Sequence, residues 1–170
     1  MPPGLVKHVS SSLEKAQAYF RLVNRDTFVP LTTDEEMQAV EQAFRELAAP
    51  RLSGAKLHLH NAADALTKGS YADSIRESIH SVESVARILA PSSSLSESLR
   101  MLEKPLNVHR ALKAGFNSLY GYTSDENGIR HPLLDKDTAN VDEFDAIFML
   151  GACAAFISHL SGKARRANLL

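Results

Sequence analysis

A chain of 170 residues that is 44% hydrophobic and 23% charged suits one globular domain with a proper core and excludes a largely disordered protein. The formal net charge of −1 and pI near 6.7 leave no global basic field for nucleic acid, so polyanion binding would need a local patch or one built by oligomerisation. Cys153, the only cysteine, excludes an intramolecular disulfide and every multi-cysteine zinc motif.

The opening residues Met1-Pro2-Pro3-Gly4 do not read as a secretory signal. The longest apolar run, Ala146 to Ile157, falls short of the roughly 20 residues that span a bilayer. A cytoplasmic protein without membrane association is expected.

In chain order, Leu13, Ala16, Tyr19, Phe20 and Val23 fall at roughly helical spacing and predict a first helix over about 6–24. Phe28-Val29-Pro30 breaks the pattern, because a residue before proline is pushed out of helical geometry. Thr32-Thr33-Asp34-Glu35-Glu36 is a helix-start signal, and Met37, Val40, Phe44 and Leu47 give the helix that follows an apolar stripe. After Pro50 a third helix is predicted over 52–68, closed by Gly69.

The clearest helix carries Ile75, Ile79, Val82, Ala86 and Leu89 on one face, with Asp73 or Ser74 as its expected cap and Pro91 ending it. Ser94-Leu95-Ser96-Glu97 starts a short helix to about Glu103. Another is predicted over 108–120, with Leu112, Phe116 and Leu119 inward. Residues 121–140 read as one long polar connection, of the kind that often carries function. The last helix begins near Asp142, is apolar on nearly every side and belongs at the centre of a bundle or an interface. The expected fold is thus an all-α bundle of six to seven helices with a buried apolar C-terminal helix. Residues 1–50 form an N-terminal segment packed on a core over 51–162, and 163–170 a flexible tail.

The seven histidines form no HExxH and no histidine–cysteine cluster. His58 and His60, two apart on a helix, point to opposite sides and cannot chelate together, so no metal and no cofactor is expected. Cys153 lies among apolar neighbours and reads as inert. Arg76, His80, Glu83 and Arg87 make one polar ladder beside the Ile75–Leu89 stripe. It fits either a row of ion pairs or the charged wall of a cleft in which His80 moves a proton. Arg130-His131 is the sharper pair: a guanidinium can hold a phosphate, and an adjacent imidazole can act on a ribose hydroxyl. Ser124, Asp125, Glu126 and Asn127 add hydrogen-bonding groups, and Asp125 or Glu126 could equally pair with Arg130 and pin the segment.

Three segments together resemble HEPN domains of the abortive-infection, antiphage type. They are Tyr71 to Val85, Leu112 to His131 and Phe144 to Leu160. The resemblance implies a helical domain, commonly dimeric, that is either a metal-independent endoribonuclease or a non-catalytic RNA-binding or scaffolding module. Active members carry an arginine followed several residues later by a histidine at the start of the last core helix. Here Arg130 and His131 are adjacent, and the one pair with the family's spacing, Arg51 and His58, falls in an earlier helix. The resemblance therefore implies an RNA-directed module of phage defence or RNA turnover that works as a homodimer. Arg130 would be the phosphate clamp and His131 the proton-transfer group, with Arg76, His80, Glu83, Ser124, Asp125 and Asn127 along the RNA-binding cleft. The alternative is a non-catalytic helical interaction module serving an antitoxin or effector partner.

Overall fold

A computed structural model describes residues 2–15, 20–24, 26–31, 33–125, 129 and 139–170. Seven α-helices and one two-stranded hairpin make up these residues: α1 (Pro3–Lys15), β1 (Phe20–Val23), β2 (Thr27–Pro30), α2 (Asp34–Glu46), α3 (Ser53–Thr67), α4 (Tyr71–Leu89), α5 (Leu95–Leu102), α6 (Arg110–Asp125) and α7 (Glu143–Arg166). The predicted all-α bundle is the observed architecture.

Helix starts follow their local chemistry. Thr33 Oγ1 accepts from the Glu36 N–H at 3.2 Å while the Glu36 carboxylate accepts from the Thr33 N–H at 3.1 Å. Asp142 and Asp145 make the same reciprocal box at the start of α7, both bonds 3.1 Å. Each box satisfies two backbone donors that a helix N-terminus leaves open. Ser94 caps α5 by accepting from the Glu97 N–H at 3.3 Å.

The core is layered around α4 and α7. α4 buries Ile75, Ile79, Val82 and Val85 between α3 and α7, and α7 in turn packs on α2 and α3. Ala55, Leu59, Ala62 and Ala63 let α3 lie close against α4. α7 buries Ala146, Leu150, Cys153, Ala154, Ile157 and Leu160 completely. Burial pushes the Cys153 thiol up to about 12, so it is inert, as its apolar setting implied. Among the described residues α7 is the one helix long and apolar enough to cross a membrane, its most apolar stretch having a mean hydropathy of 1.5. Of that stretch 56% is buried against the rest of the bundle, as in a core helix.

Four local expectations change. Of the predicted helix over 6–24, α1 covers the part up to Lys15, whereas Phe20–Val23 pairs antiparallel with Thr27–Pro30, Val23 facing Thr27 and Phe20 facing Pro30. Leu22, Val23 and Val29 gain burial by this pairing, and Asn24 takes the left-handed conformation (φ 50°) at the turn. α4 begins at Tyr71, so Asp73 and Ser74 lie inside its first turns rather than capping it. α6 continues to Asp125, so Gly121 to Asp125 are helical and the connection starts later than the polar composition suggested. Leu112, expected inward, is 39% exposed, while Phe116 is buried and stacked on Phe156.

The segment 163–170, expected as a tail, begins inside a helix. α7 runs to Arg166, and Asn168 (φ 54°) closes it with the Asn168 N–H donating to the Arg165 carbonyl and the Leu169 N–H to the Ala164 carbonyl. Lys163 donates to the Asn107 carbonyl at 2.8 Å, and Arg51 donates to the Leu169 carbonyl at 3.0 Å. Arg165 pairs with Glu46 of α2, whose carboxyl is held below its ordinary range chiefly by that hydrogen bond.

Candidate functional site

The turn between α3 and α4 fixes what can meet across the hairpin. Gly69 (φ +74°) ends α3, with its N–H donating to the Leu66 carbonyl at 3.1 Å and the Ser70 N–H to the Ala65 carbonyl at 2.9 Å. This closure needs a residue that tolerates positive φ and returns the chain at once into an antiparallel helix. His58 and His80 stand equally far along the chain from Gly69, one before it and one after. They therefore come side by side.

Their rings meet edge to face, centroids 5.4 Å apart. One carboxylate bonds the first ring and lies near the second. Glu77 Oε2 lies 2.7 Å from His58 Nδ1, and Glu77 Oε1 lies 4.0 Å from His80 Nδ1. Glu77 and His80 are three apart on α4, a spacing that stacks side chains on one helix face. The Glu77 side chain is only 18% exposed, against 38% for His58 and 31% for His80. The carboxylate thus sits behind the two imidazoles.

In front of them opens a groove of about 620 Å³ lined by His58, His80, Glu83, Ser84, Arg87 and Ile88, with Pro91 and Ser92 at its end. Arg87 pairs with Glu83 at 3.6 Å. Half-exposed pairs of this kind are worth less than about 1 kcal/mol, so the guanidinium is readily drawn to an anion. Such a groove can seat a small polar or anionic group, place it against two imidazoles, and move protons at the back wall.

The predicted ladder on α4 therefore divides. His80, Glu83 and Arg87 line the groove, whereas Arg76 turns away, to Asp73 at 2.6 Å and to the Ile129 carbonyl at 3.3 Å. Ile129, buried, is thereby tied to α4. Ser124 and Asp125 lie in the last turn of α6 rather than in a loop, and neither lines the groove. Asn127, Arg130 and His131 lie outside the described residues.

His58 and Glu77 were not among the residues singled out from the sequence. His58 had been weighed against His60 and with Arg51, never with His80, and His58 and His60 do diverge: His60 Nδ1 lies 3.0 Å from Thr27 Oγ1 of β2. The usable signal was the position of Gly69 midway between two histidines, with a glutamate three residues before the second. No protein family, no curated protein and no solved structure matches this chain.

Proposed function

We propose that this chain is a HEPN-like, RNA-directed helical module whose reacting groups include the paired imidazoles of the α3–α4 groove. The observation that carries the reading is His58 and His80 at 5.4 Å, backed by the half-buried Glu77 and fronted by Arg87. Metal-independent RNA cleavage needs a base, an acid and a cation around one phosphodiester. Glu77 at 2.7 Å holds the proton on His58 Nδ1, which leaves Nε2 as the basic nitrogen. His58 then takes the proton from a ribose 2′-hydroxyl as its oxygen attacks phosphorus. His80, protonated, gives a proton to the departing 5′-oxygen as its bond to phosphorus breaks. Arg87 draws the phosphate into the groove. Arg130 and His131 are a second candidate pair, supported by their residue chemistry and by the family resemblance.

Incubating the purified chain with mixed RNA in EDTA tests this. Cleavage that falls by about 10²- to 10⁴-fold in His58→Ala and in His80→Ala supports the groove as the site. Cleavage abolished only in His131→Ala moves the chemistry to the connection before α7. No cleavage and no RNA retardation at low salt ends the RNA reading.

The alternative, an interaction module, is favoured by a different observation. Phe144 and Phe148, one turn apart on α7, are 75% and 60% exposed. Phe148 also borders a small hollow with Leu119, Tyr122 and Met149. Adjoining apolar exposure of this kind suits a partner surface, and a second copy of the chain is the occupant implied by the family resemblance. A dimer by light scattering that Phe148→Asp converts to monomer supports that role, and a wild-type monomer at high concentration removes it.

A further inference from the structure

We infer that His58, Glu77 and His80 form a binding site for one divalent transition-metal ion of the zinc type. The three offer ligand atoms that all lie within 4.8 Å of one another, from two helices held in register by a short closed turn. Two imidazoles and a carboxylate match the borderline-soft character of such ions, whereas calcium and magnesium prefer all-oxygen sets.

The geometry is close to what coordination requires. Bonds of about 2.0–2.1 Å in a tetrahedral arrangement put ligand atoms roughly 3.3 Å apart. Glu77 Oε2 lies 2.7 Å from His58 Nδ1 and Glu77 Oε1 4.0 Å from His80 Nδ1, on either side of that separation. Side-chain rotations would bring the three ligand atoms, all within 4.8 Å of one another, to that separation.

Charge and access agree with this. Arg76 Nε lies 4.0 Å from Glu77 Oε1, but Arg76 is neutralised at closer range by Asp73 at 2.6 Å. Glu83 and Arg87 on the groove wall pair at 3.6 Å and so add little net charge to the site. Three protein ligands leave a fourth position, and the groove of about 620 Å³ lies where a water or an anion would fill it. An ion on His58 Nδ1 would replace the hydrogen bond to Glu77, and the single proton of the neutral ring would then sit on Nε2.

This assignment goes beyond the RNA reading and does not rest on it, because metal binding is measured without RNA. Where both hold, an ion on the two Nδ1 atoms fixes the remaining proton of His58 on Nε2, where the base needs a lone pair, and keeps His80 from becoming an imidazolium, so bound metal silences cleavage and chelation restores it.

The test is titration of the metal-stripped full chain with Co²⁺ and Zn²⁺, read by cobalt ligand-field absorption and by calorimetry. The expected result is one ion per chain, with affinity lowered at least about 10-fold in His58→Ala, Glu77→Gln and His80→Ala. His60→Ala, on the opposite side of α3, should keep wild-type affinity. Imidazole NMR signals of the wild-type chain give a readout that needs no variant to fold: those of His58 and His80 should shift, and those of the other histidines should not. No binding, equal binding in all variants, or shifts confined to other histidines would overturn the site.

Discussion

The α3–α4 hairpin and the outer side of α7 distribute their residues in opposite ways. Across the hairpin an apolar seam of Leu59, Ala62, Ile75 and Ile79 lies under a polar edge where His58, Glu77 and His80 meet. On α7 the buried side is complete, and the outward side still carries Phe144 and Phe148. The hairpin is finished within one copy and keeps chemistry at its rim. α7 holds the bundle together and leaves apolar surface over. The difference teaches that a helix apolar on nearly all sides need not be covered on all of them, and that a polar ladder need not be only a solvated face.

The largest effect is expected at the shared seam. Ile79 is wholly buried on α4, and Ile79→Ala should lower unfolding free energy by about 2–5 kcal/mol, as a cavity between α4 and its neighbours cannot fully collapse. Urea denaturation checks this. A loss below about 1 kcal/mol would mean that the seam is loosely packed.

A smaller effect is expected where α7 is pinned to α2. Arg165→Ala should cost about 1 kcal/mol, since the Glu46 side chain is 7% exposed while Arg165 is half-exposed. The pH dependence has a definite sign. Glu46 has its carboxyl lowered from 4.5 in the fold, so its contribution is present above that value and fades as pH falls through the lowered one. Arg165→Ala should flatten this acid limb, and melting curves from neutral to acid pH would reveal it. An unchanged limb would show that the pair contributes nothing to acid stability.

The smallest effect should come from the exposed side. Phe148→Ser should change the stability of the dilute monomer by less than about 0.5 kcal/mol, because the ring is already 60% exposed. A loss as large as that of Ile79→Ala would place Phe148 in the fold rather than on a partner surface.

Much of the fold was legible locally. The Thr33–Glu36 box, the Ser94 cap and the Asp142 start are short-range hydrogen-bonding devices, and the Ile75–Ala86 stripe is a period set by the helix itself. The candidate site was legible only in part. His80 and Glu83 stood out on α4, but their partner His58 lies on another helix, and the ladder's Arg76 leaves for Asp73 and Ile129. Nothing in the spacing within a single helix decides which of its polar residues will face the next one.

By itself the amino-acid order determined the helical segments from α2 onward, the capped starts of α2, α5 and α7 and the apolar character of α7, because backbone capping and side-chain periodicity act within a few residues. Only the tertiary structure decided that residues 20–30 pair as a hairpin, that the C-terminal residues are anchored and that two histidines meet beside one carboxylate. Those outcomes depend on partners distant in sequence, such as α3 beneath β2, Asn107 holding Lys163 and α4 facing His58, brought together when the core excludes water.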